Sequence, residues 1–489
     1  MLVRLLMLFW LVLPVVAYAD FVWTDNCKKA YQSVWAYNVT QADALLQKEA
    51  TENPGNDMPL YIHSVKDALR LLFLEDKALL ADFKTGTETR LTKLASSDRE
   101  SPYHFYTRSQ LYLHSAIVRI KFGEYVQAAY EIQKSYGLLE AGLKKYPDFL
   151  PMQKDLLMMK AAIGTLPDNY RHLLSVLGFT GELKPSISAY STMLSKMKSH
   201  PEYRIFWKEG AVFSSFMQFY LMNDPGKAWK EMEQVTADYS TNLMSAVLRG
   251  IMAQRVKKNE IALIALMPHL KSVPVIPMVD YWAAVIMLHD LNLESGFYMT
   301  RFLERYKGQN FIKDGYLKLG WAYFLKGNVK VYKDCMRMVQ RYGSSQVEED
   351  RQALYEASLT KLPDMPLLKA RLLSDGGYFA RAKEIILKAK PEALDKAGQA
   401  EYYYRKGRIH AALGEDTEAL KAYETVIADY TEKEGYFVPA ACLYSGMIWE
   451  QLGNADKARH YYARCLTYKL YIYKDSFDQK AKAGIARLK

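Results

Sequence analysis

The side chains of this chain best able to bind a metal or to act as nucleophile and base are four cysteines and nine histidines, and their spacing assembles neither kind of site. The histidines are scattered: His104 and His114 stand ten residues apart, H-E-x-x-H is absent, and no C-x-x-C occurs. No zinc ligand set is spelled out, and the histidines read as ordinary surface or capped residues. There is no G-x-S-x-G nucleophile elbow and no G-x-x-x-x-G-K-[ST] phosphate loop. Gly178, Phe179, Thr180 and Gly181 have a spacing reminiscent of a phosphate-binding turn. No strand pattern precedes them, so they read as a turn between helices with Phe179 pinned into the core. No catalytic residue, cofactor or metal is expected, and an enzyme here would have to assemble its site from distant residues. Tyrosine is the unusual residue, at 37 copies. Some must be core, while rings facing a concave surface would offer stacking area and a hydroxyl to a peptide or glycan.

The elements that would position such side chains are clearest over residues 401–466, where one pattern occurs twice. Gly407, Gly414, Ala419 and Tyr423 are matched by Gly446, Gly453, Ala458 and Tyr462. A small residue on a first helix is followed seven residues later by a turn glycine, then by an alanine five further on and an aromatic four beyond that. This is the tetratricopeptide repeat pattern. Antiparallel helices approach closely where one side of the contact is Gly or Ala, so Ala419 and Ala458 are expected opposite Gly407 and Gly446, and the glycine between the helices supplies the turn. Gly123 with Ala128 and Gly377 with Ala382 keep the five-residue offset; Gly320 and Gly327 form another copy in which Tyr332 replaces the alanine. The turn glycines at 123, 327, 377, 414 and 453 are separated by 204, 50, 37 and 39 residues, against roughly 34 for a pure repeat. The middle copies are therefore degenerate, and longer loops such as 430–439 are expected. The fold class is all-α, an α-solenoid of tetratricopeptide-like hairpins that must stack to bury their apolar faces.

Gly164, Thr165, Leu166 and Pro167, then Arg171, Leu173 and Leu174, then Leu177 to Glu182 form a separate motif, with Pro167, Gly178, Phe179 and Gly181 as its marks. In this order of residues the chain resembles the tetratricopeptide repeat domain 39 and inclusion-body-clearance family. That resemblance implies shared helical-repeat architecture over most of the chain. The departures are Glu182, where the family tends to show Asp, and the export signal described next.

Met1 to Arg4 is a basic head, Leu5 to Val16 an apolar run, and Ala17-Tyr18-Ala19 a small-residue cleavage site before Asp20. The expected organisation is a signal peptide over 1–19, N-terminal helical repeats over 20–200, degenerate repeats over 201–345, and C-terminal tetratricopeptide repeats over 346–489. The expected compartment is periplasmic or secreted, and no membrane span is expected after residue 19. The formal net charge is +11, or +10 without residues 1–19, where Arg4 is the only charge. Lys and Arg are spread over the whole length, so nucleic acid is not an expected partner. An oxidising compartment and the hairpin arrangement allow a disulfide between Cys442 and Cys465, with two buried free thiols as the alternative. The expected function is a non-enzymatic scaffold that binds a protein or peptide in a concave groove; the alternative is a glycan or envelope polymer.

Overall fold

The computed structural model describes residues 21–165, 178–271, 276–359, 361–469 and 471–488. Residues 1–19, expected as an export signal, and Leu166, Pro167, Arg171, Leu173, Leu174 and Leu177 of the expected family motif lie outside them. Among the described residues stand 24 α-helices and no strand. The first hairpin joins α1 (Asp25–Trp35) to α2 (Val39–Glu52). Two helices, α3 (Met58–Leu74) and α4 (Leu80–Ala95), lead to the long hairpin of α5 (Pro102–Lys121) and α6 (Tyr125–Lys145), and α7 (Leu150–Ile163) pairs with α8 (Leu183–Ser199). Then come α9 (Trp207–Tyr220) with α10 (Pro225–Val235), α11 (Leu243–Arg255) with α12 (Asn259–Leu266), α13 (Pro277–His289) with α14 (Ser295–Arg305), and α15 (Ile312–Leu325) with α16 (Val329–Arg341). A single helix, α17 (Glu348–Ser358), precedes α18 (Met365–Gly376) with α19 (Phe379–Lys388), α20 (Lys396–Ala412) with α21 (Asp416–Asp429), α22 (Phe437–Gln451) with α23 (Ala455–Thr467), and the last helix, α24 (Lys474–Arg487).

One turn geometry recurs through the chain. Nine residues between paired helices sit in the left-handed region: Tyr37, Gly123, Asn223, Lys257, Leu291, Gly327, Gly377, Gly414 and Gly453. At Gly414, for example, the next amide, Glu415 N–H, bonds back to His410 C=O and Gly414 N–H to Ala411 C=O, which closes the last turn and satisfies carbonyls the helix would leave free. The same pair of bonds recurs at Tyr37, Gly123, Lys257, Leu291, Gly327, Gly377 and Gly453; at Asn223 the closing bond runs one residue further, from Asp224 N–H to Gln218 C=O. The residue after the left-handed one often caps the second helix, as Asn38, Asp224, Asn328 and Asn454 do with their side-chain oxygens.

This accounts for the second half of the 204-residue gap between Gly123 and Gly327. Its missing turns are at Asn223, Lys257 and Leu291, and these are spaced 34 and 34 residues apart. They carry no glycine, so the repeat pattern does not mark them, and only Asn223, followed by Asp224, Pro225 and Gly226, reads as a turn; a side chain in the left-handed region costs roughly 1–2 kcal/mol. The alanine five residues later is retained as Ala228 and Ala262, both fully buried.

Two expectations are corrected here. The loop expected over 430–439 is shorter, because α22 begins at Phe437 and holds Pro439 within its first turn, where the missing N–H has no helical acceptor to lose. The residues opposite Gly407 and Gly446 are not Ala419 and Ala458 but aromatic rings. A Cβ on Gly407 would lie 2.5 Å from Tyr423, and one on Gly446 would lie 2.7 Å from Tyr462. The small residue on the first helix thus makes room for a ring one turn beyond the buried alanine. In the α15–α16 hairpin, Gly320 makes the corresponding room for Met336, Cys335 and Tyr332.

Cores are shared between consecutive hairpins, as stacked repeats require, and they run through the boundaries expected at 200 and 345: one cluster extends from Cys27 to Leu221 and another from Leu288 to Leu372. First helices pack side by side, α11 on α13, α13 on α15 and α18, α18 on α20, α20 on α22, and α22 on α24. The coil also closes on itself. The Glu75 carboxylate accepts from Tyr306 O–H at 3.0 Å and from the Gln309 and Asn310 amides at 3.0 and 2.9 Å, and Arg487 donates to Leu221 C=O at 2.7 Å.

Candidate binding surface on the first helices

Because first helices lie side by side, residues on their common face collect on the inside of the coil. Arg371 and Asp375 come from α18, Arg405 and Arg408 from α20, Lys480 from α24, and Arg255 and Lys257 from the end of α11 and its turn. Arg255 is exposed and Lys257, Arg408 and Lys480 are half-buried, yet protein surrounds all four. The turn at Lys257 reaches this place because the turn at Gly377 packs directly against its backbone; no larger residue than glycine fits there.

Half of these cations have a carboxylate partner. Lys257 donates to Asp375 C=O at 3.0 Å with its carboxylate at 3.8 Å, Arg371 pairs with Glu356 at 2.6 Å, and Arg405 pairs with Glu401 at 2.5 Å. Arg408 instead donates to the hydroxyls of Tyr404 at 3.0 Å and Tyr444 at 3.1 Å and lies over the Tyr444 ring. Among the described residues neither the Arg255 nor the Lys480 side chain has an ion-pair or hydrogen-bond partner. The crowding of positive charge is visible in the lysines. Burial first, with Arg408, Arg255 and Lys480 acting against the opposing Asp375, pushes Lys257 down to about 8, and burial, Arg255 and Arg408 push Lys480 down to about 8.

The tyrosines divide between two environments. Tyr31, Tyr61, Tyr106, Tyr190, Tyr423 and Tyr462 are fully buried core, whereas Tyr125, Tyr130, Tyr342 and Tyr355 are exposed. Among the described residues no tryptophan is exposed.

A second concentration of polar groups joins α1, α5, α7 and α9. Lys154 Nζ lies 2.5 Å from Asp155 and 2.8 Å from Glu209, Tyr31 O–H donates to Glu209 at 2.7 Å, and Gln110 donates to Asp155 at 2.7 Å. Two carboxylates share one buried cation, and burial first, with Glu209 acting against Lys154, pushes Asp155 up to about 6. A cavity of about 620 Å³ lined by Trp35, Glu202, Lys208 and Asp238 reaches Tyr31 and Glu209. Glu209 is engaged as above and Asp238 pairs with Lys208 at 2.9 Å, which leaves Glu202 at the rim as the one lining acid without a partner among the described residues; the buried cluster itself ties four helices together.

The glycines named from sequence are structural. Gly178 has a φ of 87°, Gly181 packs on the Lys160 backbone, and Gly164 on the backbone of Glu182 and Leu183, so the Gly-Phe-x-Gly turn clamps the end of α7. Phe179 is half-buried, not pinned deep in the core; its ring centroid is 4.8 Å from that of Tyr136, whose hydroxyl donates to Thr180 C=O at 3.1 Å. The surface reading of the histidines is also corrected. His104, His289 and His410 are buried, and His114 Nδ1 is 2.9 Å from Ser64 Oγ. Burial pushes His114 down to about 4 and His289 to about 3, so both are neutral at pH 7. Cys442 and Cys465 are free and fully buried, not bridged. Each thiol faces a tyrosine, Tyr468 and Tyr471 respectively, and burial raises them to about 11 and about 12, which keeps them as thiols. Among the described residues no group of three or more His, Cys, Asp or Glu could hold a metal, and no helix is long and apolar enough to cross a membrane.

Sequence reasoning missed Arg255, Lys257, Arg408 and Lys480 because they are ordinary helix-surface residues in the sequence and meet only when the coil closes. Residues 400–428 match the family model of the tetratricopeptide repeat. No curated protein matches the chain.

Proposed function

We propose that this chain, with a tetratricopeptide repeat at 400–428 and the same turn geometry along its length, is a protein-interaction scaffold that takes a protein or peptide partner on the inner face of its first helices. It does so without chemistry of its own. The observation that carries this reading is the inner surface itself: a solvent-reached face on which Arg255, Arg408 and Lys480 converge with no carboxylate partner among the described residues. The tyrosine hydroxyls on this face hold Arg408, which favours a polypeptide over stacked sugar rings. Export through residues 1–19, with a mature N-terminus at Asp20, is part of the same proposal; N-terminal sequencing that finds Met1 retained overturns that part. Shared architecture with the tetratricopeptide repeat domain 39 and inclusion-body-clearance family is proposed from the Gly164 to Gly181 motif. The scaffold reading is tested with a photo-crosslinking amino acid at Tyr444, on the inner face, or at Lys457, exposed on α23. In the native host, the inner position should give a discrete protein adduct and the outer one none. Adducts only from Lys457 would contradict it.

A further inference from the structure

The geometry points to an acidic polypeptide segment as the ligand of this inner face, bound through its carboxylates by Arg255, Arg408 and Lys480. This rests on the scaffold reading above and adds the chemistry of the partner. Three features carry it. The three side chains come from α11, α20 and α24, far apart in sequence, and are brought together where Arg487 of the last helix donates to Leu221 C=O and the Lys257 turn packs on Gly377. None has a carboxylate within ion-pair distance, although other cations of the same face do. Glu349 and Glu348 act on Arg255 only from beyond ion-pair distance, and the Glu348 carboxylate accepts from the Ser476 amide at 3.0 Å.

Partly desolvated cations attract anions more strongly than surface lysines do, because protein around them displaces the water that would screen them. The depressed lysines are consistent with this: burial lowers them most and the neighbouring cations lower them further, and a bound anion relieves that second contribution. The face also offers what a polypeptide needs besides cations. The Asp375 carboxylate can accept backbone N–H groups, and the Tyr404 and Tyr444 hydroxyls lie beside Arg408. A polyphosphate backbone has no N–H to give Asp375 and meets only its repulsion, whereas a peptide's N–H groups offset the repulsion of its own carboxylates.

The test is fluorescence anisotropy with the full chain and a short labelled peptide in which glutamate alternates with serine. Its counterpart carries glutamine for glutamate, and a single-stranded DNA of equal net charge is the third ligand. The acidic peptide should bind at least about tenfold more tightly than the glutamine peptide and than the DNA. The Arg255→Gln/Lys480→Gln double variant should lose about tenfold in affinity, whereas Arg337→Gln, on an exposed residue paired with Asp334, should not change it. Asp375→Asn should tighten the acidic peptide, a gain that unfolding cannot produce. Equal binding of both peptides, indifference to the double variant, or equal binding of the DNA overturns the acidic-peptide proposal. Inner-face crosslinks at Tyr444 to a partner would then still stand for the scaffold reading, and their absence would remove that reading separately.

Discussion

Two glycine-to-alanine substitutions, both inside helices, should move stability in opposite directions. Gly137 lies in α6, and a Cβ there meets nothing within 4 Å. Gly137→Ala removes backbone freedom from the unfolded chain without a clash and should stabilise by roughly 0.5–1 kcal/mol. Gly446 lies in α22, where a Cβ would come 2.7 Å from Cδ1 and 2.8 Å from Cε1 of Tyr462. That ring cannot step aside. Its other edge packs against Gly484 of α24 even more closely, and its hydroxyl donates to Glu450 at 2.5 Å, a carboxylate that Arg487 also holds at 2.7 Å. Overpacking of this kind costs roughly 1–3 kcal/mol. Set against a propensity gain of about 0.5–1 kcal/mol, Gly446→Ala should still destabilise, by about 0.5–2 kcal/mol. Hydrogen exchange reads both locally, which suits a solenoid whose stability couples mainly between neighbours. Protection over 437–487 should fall in Gly446→Ala, while that of 125–145 should rise in Gly137→Ala. Changes of the same sign, or a loss over 437–487 in neither variant, would refute the ring-in-glycine packing.

Ala458→Leu, at a fully buried position, should cost roughly 1–3 kcal/mol, whereas Lys457→Ala, exposed and over the Trp449 ring at 3.9 Å, should cost no more than about 1 kcal/mol; thermal or urea unfolding of the two compares them. Stability should decline as pH falls from about 6.5 toward 4, because burial holds His63 and His114 down to about 4 and the unfolded chain then binds protons that the folded one refuses. Asp155, raised to about 6, opposes this below pH 6, so a His114→Gln variant should show a shallower decline in melts across that range; an unchanged slope would exclude His114 as a cause. Cys442 and Cys465 should react with a thiol reagent only on unfolding, and peptide mapping under non-reducing conditions should recover both free; a bridged peptide would contradict their placement.

The C-terminal architecture is legible in the sequence because glycine occupies the left-handed turn at 414 and 453 and alanine follows at a fixed offset. The middle is not, because Lys257 and Leu291 take the same backbone conformation without glycine, and Asn223 gives only a generic turn signal. Helix starts set by local chemistry are readable, as at Ser101, whose side chain caps the Tyr103 amide ahead of Pro102. The candidate site is a different case. Arg255 and Lys480 are separated by most of the C-terminal half, and nothing local marks either; only the return of α24 onto α8 brings them to one face. The same holds for Tyr31 and Glu209, whose bond spans 178 residues.

Hydrogen exchange of the full chain, alone and saturated with the alternating glutamate peptide, tests the binding face most directly. Protection should increase on the first helices that converge there, α11, α18, α20 and α24, and leave α21 and α23 unchanged. Protection gained on α21 and α23, with none on the converging helices, would contradict the account.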